Sequence, residues 1–477
     1  MEQRTANTER FSRALPAAWG LLGVLVAAAL LLHELPVYPS ALAVIALAAT
    51  ALCLLSARAS MVLFVGCQAV DAYGFLMHEP FSVSVARIVV AAVVAGAVLR
   101  WLLAKPRPRL ALRRSVTAWD LGTLIFLAGA AISVPFSYSL PLSLVGIAHV
   151  SLLIGAYIVV SRTALLDQGR NDIYSAVIVV GTLSALIALG QAYLPGFPVE
   201  VLRPTAGEAD IVVRASAFFD NPNTMALLLV LTMLCAAERA WRATRPASRL
   251  ANAAVVALSL GAIAMSLSRA ALIGVVVGVI ILGALLIRAP RSRAIAAIAL
   301  GAALAAVLAI PGVGSRAASI IDFRSDASAM DRVYLAGTSL EMFADRPLTG
   351  VGIQAFRAAY PDYEDPRVTI DPVTDGHQMP ASVPAEIGVL GLVAEVLLAG
   401  ALVHLLVKSL RAGHDPLSPA GIAAMTAIAA MALFNTFIFF ETFWIAAGLV
   451  GADYIMAHRR ATDRRLGDTQ RSEASAS

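Results

Sequence analysis

Three short groups of residues in this chain could do chemistry together. The first is Arg214-Ala-Ser-Ala-Phe218-Phe-Asp-Asn221-Pro222-Asn223, and the second is Ser266-Leu-Ser268-Arg269. The third is His377, followed by Ser382, Pro384 and Glu386. A guanidinium grips phosphate oxygens in a bidentate fork. An imidazole changes charge near neutral pH, so it can take a proton from a hydroxyl. The two together suit displacement of a phosphate or diphosphate by a hydroxyl, with guanidiniums meeting the charge that develops on the leaving group. Plainer readings exist for each: Arg214 and Arg269 could snorkel to lipid headgroups, and His377 could be a loop histidine that only hydrogen-bonds.

The elements that must position these groups are helix starts. Asn221 suits an N-cap and Pro222 the first helical position. Ser268 can cap a helix that Arg269 opens, and the His377 group precedes another apolar run. Each such start presents unpaired N–H groups and about half an elementary positive charge. Three of them on one face, with two arginines, would make an anion site.

Composition says what kind of helices these are. The chain has 477 residues, 59% hydrophobic and only 14% charged, with a mean hydropathy of +0.80. Soluble domains carry about a quarter charged residues. Fourteen apolar runs fall near 17–33, 39–56, 60–77, 82–103, 118–136, 142–161, 172–194, 218–238, 250–267, 270–287, 294–310, 384–407, 418–435 and 441–457. Each is long enough to cross a hydrocarbon core as a helix. The expected fold is all-α: a polytopic membrane bundle of about 12–14 transmembrane helices with one long extracytoplasmic loop containing short helices. Nothing has the composition of a large soluble domain. The N-terminal run lacks a convincing cleavage site and reads as an uncleaved first span. Cys53, Cys67 and Cys235 all fall in apolar runs and read as core thiols.

The net charge of +5 is not a nucleic-acid signal, because the basic residues cluster between the spans. With the N-terminus inside, 26 of the 36 lysines and arginines fall on the cytoplasmic side, as the positive-inside bias requires. Both termini are then cytoplasmic and the long loop faces outward. This divides the chain into membrane helices over 1–310, an extracytoplasmic cap over 311–383, membrane helices over 384–457 and a cytoplasmic tail over 458–477. Within the cap, Ser328-Ala-Met-Asp331 has the form of a capping box, and Val333, Ala336, Leu340 and Phe343 recur at helical spacing. Pro347 ends that helix, Gly350-Val-Gly352 makes a turn, and a second short helix is expected over Phe356–Tyr360. The stretch PDYEDPRVTIDPVTDG reads as irregular.

Ten basic residues are not explained by insertion: Arg87, Arg203, Arg214, Arg269 and six in the loop. Arg87 and Asp71 lie at similar depth on antiparallel spans, where an ion pair would form. His149 reads as a satisfied bundle residue. Glu441, within FNTFIFFETFW, reads as part of an outer interfacial belt. No DxD-like or His/Asp cluster has ligand spacing on the outer side, so no metal and no cofactor is expected.

RASAFFDNPN, the SLSR turn and DRVYLAGTSLEMFADRPLTGVGIQAF, followed by His377 and AEIGVLGL, carry a more specific resemblance. Over roughly residues 210–400 the chain resembles the O-antigen ligase and polymerase family of bacterial membrane glycosyltransferases. The resemblance implies an inner-membrane enzyme, metal-independent and inverting. Such an enzyme takes a glycan from undecaprenyl diphosphate and passes it to an acceptor hydroxyl on glycan, lipid A–core or protein. It implies diphosphate binding by Arg214 and Arg269 and a catalytic His377, with Arg332, Asn221, Asn223, Ser268 and Glu386 in support. Family members often have Asn after the histidine, whereas Gln378 and then Pro380 follow here. Protein O-oligosaccharyltransfer, within the same family, is one alternative. A lipid-linked sugar transporter or flippase is another, and a scaffold for an envelope complex a third. Transporters favour midplane charges and internal repeats; these arginines sit at helix ends, and no repeat is evident.

Overall fold

A computed structural model of the chain describes residues 16–21, 23–24, 39–70, 85–103, 117–194, 203–204, 213–219, 221–287, 327–370, 372–411 and 416–476. The helices are α1 (Pro39–Leu55), α2 (Ala57–Gly66), α3 (Val85–Leu103), α4 (Ala118–Ser133), α5 (Leu140–Thr163), α6 (Gly169–Tyr193) and α7 (Pro222–Arg242). They continue as α8 (Pro246–Met265), α9 (Arg269–Leu286), α10 (Ala327–Asp345), the short α11 (Phe356–Ala359), α12 (Met379–Leu410), α13 (Pro419–Ala432) and α14 (Glu441–Ala476). Among the described residues a two-residue antiparallel ladder, β1 (Arg203–Pro204) with β2 (Val213–Arg214), is the exception to an all-helical fold. Among the described residues eight helices are long and apolar enough to cross a membrane. The expected spans at 17–33 and 294–310, the end of 60–77 and the Asp71 partner of Arg87 lie wholly or partly outside the described residues.

Helix α7 is the centre of the bundle. It is apolar on every side over LLLVLTML, which suits a helix surrounded by others, and Met225 to Ala236 are buried throughout. It packs against α6, α8, α9 and α13. Helices α8 and α12 lie further out and leave large apolar side chains uncovered, among them Leu250, Val396 and Val403, as a lipid-facing surface does.

The cap is folded, and its own small core is Leu335, Met342, Val351, Phe356, Ala359 and Ala385. Two expectations for α10 are corrected. Its helical period is right but its face is not: Val333 and Leu340 are 47% and 59% exposed, while Leu335, Ser339 and Met342 are buried. The capping box does not form either, because the helix already includes Ala327 and Ser328. The Asp331 carboxylate instead accepts from the Thr369 N–H at 2.7 Å and its hydroxyl at 2.8 Å, tying the irregular stretch to the helix.

Two further readings are corrected. Both ring nitrogens of His149 are buried with no hydrogen-bond partner among the described residues; helix backbones around a mid-span position already bond to themselves. Nor is the Glu441 region an outward belt. Phe437, Ile438, Phe443 and Trp444 are at most 2% exposed, and α14 packs against α5, where Trp444 meets the Tyr157 ring edge-on at 6.2 Å. The three cysteines are buried thiols, none of them in a disulfide.

Candidate functional site

The first cluster forms around Arg214. Asn221 caps α7, its side chain accepting from the Asn223 N–H at 2.8 Å, with Pro222 in the first turn. Ser268 caps α9 by accepting from the Ala271 N–H. Arg214 then bridges the two helix starts, donating from Nε to the Ser266 carbonyl at 2.8 Å and from a terminal nitrogen to Asn223 Oδ1 at 3.3 Å. Next to it, the Ala215 N–H donates to the Met265 carbonyl at 3.1 Å. Two backbones here hold left-handed conformations, Ala217 with φ 50° and Leu267 with φ 51°. Such strain persists only where surroundings over-determine it. Gln191, which the sequence reading did not single out, does part of that: its side-chain oxygen accepts from the Ser216 and Ala217 N–H groups.

The second cluster forms around His377. Asp375, two positions earlier, accepts from the His377 N–H at 2.6 Å and lies 3.0 Å from the ring Nδ1. An Asp bonding the backbone two residues on is an Asx turn, and here it bends His377 to φ 52°. A proton on Nδ1 facing the carboxylate leaves Nε2 as the lone-pair nitrogen. Gly376 is pressed between Ser339 and Ser382, whose hydroxyls a Cβ would meet at 2.6 and 2.4 Å, so the turn has one seat. Burial alone would raise the Asp375 carboxyl, but the charge and hydrogen bonds of His377 and the charge of Arg332 outweigh it and hold it below the ordinary carboxylate range. The sequence reading did not single out Asp375, although its place two residues before His377 is the signal that could have found it.

Arg332 fastens this cluster to the membrane helices. It donates to the Phe434 carbonyl at 3.0 Å and to the Ser328 carbonyl and hydroxyl, while its own carbonyl accepts from the Gln378 side chain at 3.0 Å. Glu386 has a framing role: Oε2 accepts from the Gln354 N–H at 2.7 Å.

A break in α12 explains why Glu386 and the Gly350-Val-Gly352 turn belong together. Gly388 leaves the helical conformation at φ 69°, ψ −158°. The backbone groups freed there are taken up by the loop: Val351 donates to the Ala385 carbonyl, Gly352 to Glu386 and Val389 to Pro347, at 2.8, 2.9 and 2.7 Å. The loop therefore completes a membrane helix, and residues 381–387 form a separate buried segment ahead of the span.

The two clusters lie at one end of the bundle. Near the start of α6, Tyr174 bonds Glu238 at the end of α7 and Ser418 just before α13. Near the end of α6, Gln191 bonds residues 216–217 ahead of α7. Helix α13 thus starts where α7 ends and runs antiparallel to it. Its 14 residues cover about 20 Å, which brings Phe434, and with it Arg332, to the end where α7 begins. The structure joins Arg214 to Asn223 and the Ser266 turn, and His377 to Asp375 and, through Asp375 and Gln378, to Arg332. Asn221 and Ser268 act as caps.

Fold and clusters together define a polytopic helical membrane protein with a folded polar cap seated over capped helix starts. Residues 254–396 match the family model described as O-antigen ligase, so over that stretch the chain is similar to that family. The matched stretch includes the SLSR turn, the cap, His377 and the break at Gly388; the Arg214 cluster precedes it. Comparison with curated proteins gives no match.

Proposed function

We propose that the protein is a glycosyltransferase of envelope polysaccharide synthesis, passing a glycan from undecaprenyl diphosphate to an acceptor hydroxyl at the outer face of the inner membrane. The observation that carries this reading is the placement of an arginine-bearing pair of capped helix starts and an aspartate-oriented histidine at one end of one bundle. Arg214 and Arg269, with the N–H groups of their helix starts, would hold the diphosphate and take up its charge as the sugar–phosphate bond breaks. Nε2 of His377 would accept the proton of the attacking hydroxyl, and Asp375 would stabilise the imidazolium that results. Attack from the face opposite the leaving group inverts the anomeric carbon, and two guanidiniums supply the charge that a metal ion otherwise would. In this reading the cap faces outward and both termini are cytoplasmic.

The experiment is transfer by the purified full-length protein in liposomes, supplied with undecaprenyl-diphosphate-linked glycan and acceptor, with and without chelator. Wild type should release undecaprenyl diphosphate and extend the acceptor in chelator, and Arg214→Ala, Arg269→Ala and His377→Ala should not. Transfer undiminished in all three variants would sink the site, and rescue only by a divalent ion would sink the metal-free route. In cells, deletion that strands long chains on the carrier marks a ligase, and deletion that leaves single repeats marks a polymerase.

A further inference from the structure

The cap carries a second feature that the transfer centre does not use. A cleft of about 480 Å³ opens between one face of α10 and residues 363–367, within the range of about 300–1,000 Å³ of small-molecule sites. Two half-buried tyrosines, Tyr334 and Tyr363, are among its lining residues. Arg367 lies over the Tyr334 ring at 4.3 Å and is held there by a two-pronged bond to Asp365, at 2.9 and 2.7 Å. Glu341 and Glu364 also line the cleft, and neither makes a hydrogen bond or ion pair among the described residues.

The floor adds an independent observation. Gly337 sits mid-helix, where glycine weakens a helix relative to alanine. Packing does not demand it, since a Cβ there would meet nothing within 4 Å. What the missing side chain does is keep the cleft floor clear.

We propose that this cleft is a saccharide subsite, taking one or two rings of the glycan away from the bond being made. This rests on the reading of the substrate as a glycan. Tyrosine rings in a lining suit the C–H faces of pyranose rings, and unpaired carboxylates accept from vicinal hydroxyls. Three carboxylates against one guanidinium make the cleft acidic, which selects neutral or amino sugars and repels uronic acids. A divalent cation is the weaker occupant, because Asp365 is already taken by Arg367 and the described residues hold no three-membered metal-ligand group.

The test is binding of defined tetrasaccharides to the full-length protein in detergent, read by saturation-transfer NMR and titration. Probes are neutral hexose, N-acetylhexosamine and galacturonate tetramers. Neutral or amino-sugar probes should bind wild type and the galacturonate should not. Gly337→Phe, which fills the floor, should weaken binding by about tenfold or more without lowering the melting temperature. Glu341→Gln with Glu364→Gln should also weaken it, and serves if Gly337→Phe folds poorly. His377→Ala should abolish transfer and leave oligosaccharide binding intact, which separates this subsite from the transfer reaction; an inactive wild type that still binds would leave the subsite standing alone. The proposal is overturned by absence of binding to any probe, equal binding of galacturonate, binding indifferent to both cleft variants, binding abolished by chelator, or loss of binding in His377→Ala.

Discussion

The Arg214 guanidinium donates from Nε to the Ser266 carbonyl at 2.8 Å, so a side chain proposed to hold a diphosphate also holds the scaffold. One nitrogen fixes the α8–α9 turn, and another reaches Asn223 at the start of α7. That division separates two substitutions. Arg214→Lys keeps a charge but loses the fork, and a lysine cannot grip phosphate bidentately while bonding a carbonyl. Transfer should fall about 10- to 100-fold while stability changes by about 1 kcal/mol. Arg214→Ala should lose both transfer and the strained turn. Initial rates set against melting temperatures for the two variants check this; equal transfer by Arg214→Lys would remove the phosphate role.

Gly388 sits where no other residue fits. A Cβ there would come within 2.5 Å of the Leu348 backbone, and the φ of 69° is itself unfavourable for a side chain. Gly388→Ala should destabilise by about 2–4 kcal/mol, through both strain and loss of the bonds that stitch Pro347–Gly352 to the broken helix. Gly400, in the same helix, has nothing within 4 Å of its Cβ position, so Gly400→Ala should be neutral or stabilise by about 0.5–1 kcal/mol. Thermal unfolding of the pair in one detergent makes the comparison. Equal melting temperatures would mean that the break is not imposed by the loop.

What the sequence shows here depends on how local each signal is. Asn221-Pro222 and Ser268-Arg269 announce their helix starts because a cap is satisfied within three residues. The Asp375–His377 turn is equally local. The face of α10 was misread because its partners are distant and partly polar: Asp331 reaches Thr369, and Ser339 lies against Gly376. Apolar Val333 and Leu340 then look outward. AEIGVLGL reads as unbroken helix, and only the turn from Pro347 to Gly352, some forty residues earlier, supplies the partners that let it break. Asn435 to Trp444 looked like a belt because aromatic content says nothing about which way a helix is turned.

The Asp375 carboxyl gives a pH signature with a definite sign. Its folded value lies below the ordinary one, chiefly because pairing with His377 outweighs the cost of burial. The stabilisation is therefore complete above the unfolded value of about 3.9 and is lost as pH falls through the lower folded value. Melting temperatures of wild type should drop more steeply below about pH 4 than those of Asp375→Asn. At neutral pH the same variant should lose about 100-fold in transfer, because the imidazole is no longer oriented or its charged form stabilised. Parallel acid profiles for the two proteins would dissociate Asp375 from His377.

The opposite end of the bundle carries a buried network that the transfer reaction should not feel. Glu238, 1% exposed, accepts from the Tyr174 hydroxyl at 2.8 Å, the Ala420 N–H at 2.9 Å and Arg242 Nε at 2.9 Å. Through Tyr174 and Ala420 it joins the end of α7 to the starts of α6 and α13, and these two contacts set the antiparallel arrangement that brings the Arg214 and His377 clusters to one face. Glu238→Ala leaves the buried Ala420 N–H without its acceptor and the Tyr174 hydroxyl with Ser418 alone, and leaving such a group unsatisfied costs about 1–3 kcal/mol. Glu238→Gln keeps an acceptor oxygen and should cost about 1–2 kcal/mol. Because the network stands a whole helix length from the proposed chemistry, transfer per folded molecule should match wild type in Glu238→Gln, while its melting temperature falls. Activity normalised to the folded fraction measures this directly; a specific loss of turnover at unchanged stability would mean that this end of the bundle communicates with the other.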